Sequence, residues 1–222
     1  MGRKILIGIG ESGCNIIEKF AERSRQTDEN VFCLAVDTDE RSLEKIVCAK
    51  TIPVVSDKRL GDIVSEEELI AVQYFLPLSA EIFNGKFIKS LEMNKGAGLW
   101  RAKALFALWA HLSYEDKREE FFSTLDNAFD FDNADEEKEL YVVASLSGGT
   151  GSGLFLPFTF LVERYFKQKT GKPVSAKLCL ISAEVYQNKL TAEQGVKANA
   201  NAYAAMQELN AVYSSVKSDG GE

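Results

Sequence analysis

Leu140-Tyr-Val-Val-Ala-Ser-Leu146 runs directly into Ser147-Gly-Gly-Thr-Gly-Ser-Gly153, and a largely apolar stretch, Leu154 to Lys169, follows at once. The first segment reads as a buried strand and the last as a helix. A glycine loop between them presents free backbone N–H groups at the positive end of a helix dipole, which is a place for phosphate oxygens. Ser147, Thr150 and Ser152 add hydroxyl donors to that cage. No lysine follows the last glycine, so the loop is not of the lysine-bearing P-loop type. A flexible glycine/serine linker would not join a strand directly to a buried helix.

The amino-terminal segment repeats the arrangement. Lys4-Ile-Leu-Ile-Gly-Ile-Gly10 reads as a strand, Cys14 to Arg25 as a helix, and Gly8-x-Gly10-x-x-Gly13 spans the turn between them. Glycine allows a backbone to approach an anion where a Cβ would block it. Asp37 closes a second apolar run, Val31 to Asp37, at the place where a dinucleotide fold puts its ribose acceptor. A tight strand–helix turn without any ligand is the plain alternative for this first loop.

Glu40 to Val47 reads as a short helix and Lys50 to Val55 as an edge strand that tolerates Pro53. Ser65-Glu-Glu-Glu resembles a helix start, and Asn84-Gly85 a turn. Helices are expected over Leu99–Leu112, Tyr114–Phe129 and Thr191–Val212, with a strand at Ala176–Ile181. This order predicts an α/β fold, a mostly parallel, Rossmann-like three-layer sheet with helices on both faces. Residues 1–213 read as one nucleotide-binding domain, and 214–222 as a flexible tail or truncation point.

A third glycine segment, Asn94-Lys-Gly96-Ala-Gly98, opens the Leu99 helix with Arg101 in its first turn. A cation is unfavourable at that end of a helix unless an anion is also there, so Arg101 is a candidate clamp for a terminal phosphate, with a solvated arginine as the alternative.

Composition sets the limits. Of 222 residues, 45% are hydrophobic and 27% charged, as in an ordinary globular protein. The net charge of −7 is local: residues 115–139 carry 11 acidic and 3 basic side chains, and the remainder sums to +1. No basic stripe suits nucleic acid. No segment has the apolar length of a membrane span, and no signal peptide is evident. The four cysteines form no C-x-x-C and His111 is the sole histidine, which excludes a Cys/His zinc site. A reduced, cytoplasmic setting is expected. His111 reads as a packed or surface residue.

At Ser147-Gly-Gly-Thr-Gly-Ser-Gly the sequence resembles the tubulin/FtsZ family, whose phosphate loop is G-G-G-T-G-[ST]-G, with Ser147 in place of the first glycine. Gly8-Ile-Gly-Glu-Ser-Gly-Cys-Asn15 is similar to that family's first nucleotide loop. Ala35-Val-Asp-Thr-Asp39 is similar to its "NTD" loop, Gly96-Ala-Gly98 to its G-A-G loop and Ile181-Ser-Ala-Glu-Val-Tyr186 to the loop after its fifth strand. Asn199-Ala-Asn-Ala-Tyr-Ala-Ala-Met-Gln-Glu-Leu209 looks most like bacterial tubulin-like proteins.

The resemblance implies GTP or GDP with Mg2+, bound at the carboxyl ends of the strands. Gly10, Glu11, Ser12, Gly13, Cys14 and Asn15 would form the first loop against the phosphates, and Ser147, Gly148, Gly149, Thr150, Gly151, Ser152 and Gly153 the second. Asp37, Thr38, Asp39, Gly96, Ala97 and Gly98 would lie near the γ-phosphate, with Mg2+ near Asp37 and Asp39 through water. Glu184 would meet the ribose. It further implies head-to-tail self-association into filaments that hydrolyse GTP at subunit junctions, the catalytic residues coming from a later segment of a neighbouring subunit. The acidic 115–139 region reads as a solvated face or a partner surface. Asn199 and Asn201 could contact the base, but helix surface is the favoured reading. An NAD-binding oxidoreductase built on the first loop and Asp37 is one alternative, and a non-hydrolysing nucleotide-binding scaffold another.

Overall fold

The structure, a computed structural model, describes residues 2–27, 30–55, 96–133 and 137–219. The helix start at Ser65 and the Asn84-Gly85 turn lie outside the described residues. Five strands, β1 (Arg3–Ile9), β2 (Val31–Asp37), β3 (Lys50–Pro53), β4 (Lys138–Ser145) and β5 (Ala176–Ile181), form one all-parallel sheet in the order β3-β2-β1-β4-β5. Their near-continuous apolar character follows from burial on both faces. Pro53, which cannot donate to a ladder, lies in edge strand β3 as expected.

Side chains alternate across the sheet. Ile5, Ile7 and Ile9 join the larger core with Leu34, Val36, Val142 and Phe155, while Leu6, Cys33 and Val143 face the other way, toward Ile17 and Ala21. One layer is formed by α1 (Gly10–Ser24) and α2 (Glu40–Leu43). The other contains α3 (Arg101–Ser113), α4 (Glu115–Phe129), α5 (Gly149–Thr170) and α6 (Ala192–Asp219). Phe121, Phe129, Phe155 and Phe158 are completely enclosed in this second layer. At roughly 2–3 kcal/mol for each buried phenyl side chain, they are a principal support of the layer. His111 is buried and its Nδ1 donates to the Val55 carbonyl at 3.3 Å, so it packs β3's exit against α3.

Four element boundaries differ from the expectation. α1 begins at Gly10 and α5 at Gly149, so the glycines form the first helical turns instead of separate loops. α2 ends at Leu43, short of the expected Val47. The Glu18 carboxylate accepts the N–H groups of Val47, Cys48 and Ala49 at 2.9 Å and turns the chain toward β3. α6 runs to Asp219, beyond the expected helix end at Val212.

The acidic stretch lies over α4, the turn at Phe131–Asn133 and the start of β4. Several of its carboxylates have partners within the chain: Asp126 with Lys169, Asp130 with Arg3 and Glu139 with Lys177.

Candidate functional site

The sheet order reverses between β1 and β4, and a cavity of about 350 Å3 opens there at the carboxyl ends of the strands. That is where open α/β sheets hold ligands. Two helices start at it side by side: a Cβ on Gly10, which takes φ +74°, would stand 2.9 Å from the Gly151 nitrogen. Among the described residues no side chain caps either helix, which leaves the first N–H groups of α1 and α5 available to an anion.

The expected residues divide into two groups. Gly10, Glu11 and Ser12 line the cavity from α1, and Ser147, Gly148, Gly149, Thr150 and Gly151 from the start of α5. Asp37, Asp39, Gly96, Ala97 and Gly98 form the wall on the β2 side. The others serve the frame. Gly13 and Gly8 allow α1 to lie against the sheet, since a Cβ on Gly13 would meet the Val143 carbonyl at 2.4 Å. Gly153 does the same against α3, where a Cβ would stand 2.4 Å from the Arg101 carbonyl. The Ser152 hydroxyl donates to the Gly148 carbonyl inside the helix. Cys14 is buried, its thiol donating to the Val36 carbonyl at 3.4 Å, and burial pushes that thiol far above its ordinary range. Asn15 is exposed on α1 and does not line the cavity.

Gly148 has a different status. Its backbone, φ −78° and ψ 163°, suits any residue, and a Cβ there would meet nothing among the described residues within 4 Å. Neither conformation nor packing among the described residues requires glycine at this cavity-lining position. A close-lying ligand would.

Two charged residues stand apart from the cavity wall. Arg101, a candidate phosphate clamp or a solvated arginine, does not line the cavity. Instead its Nε and Nη2 donate to the Ser152 carbonyl at 3.1 and 2.8 Å, and its guanidinium pairs with Glu208 of α6. This local acceptor and carboxylate offset a cation at a helix start, so no bound anion is needed to explain it. Glu184 lies exposed on the turn Ala183–Lys189, accepting from the Ser182 hydroxyl, and is not in the cavity wall.

Asp37 is the buried carboxylate of the cavity wall. It is 3% exposed and accepts from the N–H groups of Thr38 at 2.7 Å and Asp39 at 3.3 Å. Burial raises its carboxyl to about 6, against the pull of these donors and of the Thr150 hydroxyl. Thr38 does not line the cavity; its hydroxyl stands 2.6 Å from that of Thr150. Asp39 caps α2 and accepts from the Arg41 guanidinium, which holds its carboxyl below the ordinary value.

Sequence reading missed part of the wall. Tyr186, Leu190 and Ala198 close the β5 side, Ser42 reaches in from α2, and Ser145 stands beneath Ser147 with hydroxyls 2.8 Å apart. Tyr186 ends a segment already singled out, whereas Leu190 and Ala198 carry no motif. Asn201, expected on the helix surface, is half-buried and donates to the carbonyls of Leu99 at 3.0 Å and Ser147 at 3.1 Å. Among the described residues, no group of three or more His, Cys, Asp or Glu side chains is arranged to hold a metal ion.

A doubly wound parallel sheet with two glycine-started helices converging at its reversal point defines a Rossmann-like α/β domain. Residues 5–220 match the family described as tubulin-like, and the chain belongs to that family. Its fold is similar to that of CetZ1 from Haloferax volcanii, solved as a GDP-bound monomer (18% identity, TM-score 0.49, covering 92% of this chain and 47% of that one). It is also similar to CetZ2 from Haloferax volcanii, a GTPγS-bound protofilament (17%, 0.47, 92% and 56%). A third similar structure is TubZ of Clostridium botulinum phage c-st (15%, 0.47, 91% and 48%). The chain therefore spans about half the length of these structures. No curated protein matches it.

Proposed function

We propose that this chain is the guanine-nucleotide-binding domain of a filament-forming, tubulin-like GTPase of the cytoplasm that associates head to tail. The observation that carries this reading is Gly148: an unconstrained glycine facing an open cavity, at the cap of an uncapped helix whose neighbour α1 starts beside it. The α- and β-phosphates would rest on the N–H groups of Gly10–Ser12 and Gly148–Gly151. These amides are fixed in place before any reaction and would stabilise charge developing on phosphate oxygens. Membership of the tubulin-like family favours this over an NAD-binding oxidoreductase, which leaves the second glycine segment without a role.

The described cavity wall carries three carboxylates, Glu11, Asp37 and Asp39, and no lysine or arginine. A polyphosphate bound there needs a counter-charge. Mg2+ fits as an ion carried by the phosphates and held through water toward Asp37 and Asp39, because Asp39 is already shared with Arg41 and no dedicated cage is present among the described residues. When bound, it would supply charge neutralisation. This chain's own residues bind and orient. Asp37 is committed to Thr38, Asp39 and Thr150. By the resemblance to the tubulin/FtsZ family, activation of water would come from a later segment of a neighbouring subunit, with hydrolysis at the junction. The absence of a disulfide among the four cysteines, and of any described helix long and apolar enough to cross a membrane, is compatible with the cytoplasmic setting.

Calorimetric titration with GTP, ATP and NAD, each with and without Mg2+, tests the reading. GTP binding strengthened by Mg2+, with weaker ATP and no NAD binding, is the expected result. NAD binding without GTP binding would overturn it.

A further inference from the structure

Asn201 lies in the third turn of α6, and its Nδ2 donates both to the Leu99 carbonyl at 3.0 Å and to the Ser147 carbonyl at 3.1 Å. Carbonyls only accept, so the two hydrogens of an amide NH2 are what this pair of partners requires. The two carbonyls belong to separate walls of the cavity: residues 96–99 on one side, 147–149 on the other.

The first of these walls is under strain. Leu99 takes φ +64°, a left-handed conformation that a branched side chain avoids, directly after Gly98 at φ +56°. Contacts hold it there. The Gly96 N–H donates to the Thr38 carbonyl, the Trp100 N–H to that of Ala97, and Asn201 holds Leu99 from α6. On the opposite side Gly149 packs so closely that a Cβ would stand 2.8 Å from both the Ala97 Cβ and the Trp100 nitrogen. Gly149 sets the closest approach of the two walls, and Asn201 keeps them from separating.

We propose that Asn201 is a positioning residue that fixes the spacing of residues 96–99 against 147–149 and thereby sets the preference for a nucleoside triphosphate over a diphosphate. The inference rests on the nucleotide-binding reading above. A diphosphate on the amides of α1 and α5 needs the second wall alone. By the resemblance, a further phosphate would lie near Gly96, Ala97 and Gly98, and its binding would then depend on both walls standing at the right separation. Loss of the bridge penalises the longer ligand selectively.

Asn201→Asp replaces the donors with a carboxylate facing two carbonyl oxygens, and Asn201→Ser retains a single donor. Each variant is titrated calorimetrically with GTP and GDP in Mg2+, with circular dichroism to verify folding. Asn201→Asp is expected to weaken GTP at least tenfold while GDP stays within twofold, and Asn201→Ser to fall between it and the parent. Should Asn201→Asp not fold, the GTP/GDP ratio of Asn201→Ser decides by the same criterion. Equal weakening of both nucleotides, or no change in either, in a folded variant overturns the positioning role. A parent protein that binds neither nucleotide overturns the nucleotide reading itself, a result visible before any variant is made.

Discussion

The hydroxyls of Thr38 and Thr150 stand 2.6 Å apart and join the exit of β2 to the first turn of α5. The Thr150 hydroxyl also helps hold the ionised form of the buried Asp37. If Thr150 donates to the carboxylate, Thr38 donates to Thr150, and one chain of hydrogen bonds crosses the base of the cavity. Thr150→Val keeps the shape and removes the middle link. It is expected to cost about 1–3 kcal/mol of stability, the usual cost of orphaning buried polar groups. The Asp37 titration would move above its present value of about 6. Urea unfolding at pH 7 and a carboxyl NMR titration read the two effects.

Asp37 also gives the fold a pH dependence of definite sign. Its folded pKa of about 6 lies above the ordinary 3.8, so the folded protein keeps a proton that the unfolded chain releases between those values. The contribution of this group is therefore greatest below about pH 4 and falls as the pH rises through 6, by at most about 3 kcal/mol. Asp37→Asn leaves an oxygen for the Thr38 and Asp39 N–H groups and removes the charge. Unfolding measurements should find the variant more stable than the parent at pH 8 and nearly equal to it at pH 4.

The fold was legible because its strands are uninterrupted apolar runs and its turns are marked by glycine. Thirteen of the expected site residues do line the cavity, those nearest the two helix starts and the β2 wall. What the sequence concealed was the purpose of each glycine. Gly8, Gly13 and Gly153 stand in the same motifs as Gly148, yet they serve helix packing, a difference that depends on what lies opposite each Cα. The partners of Arg101 were hidden for a related reason: Glu208 and the Ser152 carbonyl are 107 and 51 positions away. The same distance in sequence hid Asn201.

That difference among glycines is testable. Gly153→Ala forces a Cβ against the Arg101 carbonyl and is expected to destabilise by about 2 kcal/mol or more. Gly148→Ala meets open space among the described residues in an ordinary backbone conformation, so the stiffer unfolded chain offsets the poorer N-cap and stability is expected to change by less than about 1 kcal/mol. Its methyl projects into the cavity, so GTP affinity should fall while the melting temperature does not. A loss of both together would mean that Gly148 is structural.

Glu18 makes a separate prediction on the α1–β3 side. Burial works against its carboxylate, but the N–H groups of Ala49, Val47 and Cys48 outweigh that effect and hold its pKa below the ordinary 4.5. Its contribution is present above that value and is lost as the pH falls through the folded pKa. Glu18→Gln supplies one acceptor oxygen where the carboxylate supplies two, and about 1–2 kcal/mol should be lost at pH 7. Thermal unfolding should show the deficit at pH 7 and a much smaller one at pH 3.

The central claim is that phosphates bind to the backbone amides at the starts of α1 and α5. Backbone amide NMR shifts on addition of GTP with Mg2+ test it directly. The largest shifts at saturation are predicted at Glu11, Ser12, Gly149, Thr150 and Gly151. Saturating GTP that leaves these five amides unmoved would contradict the account.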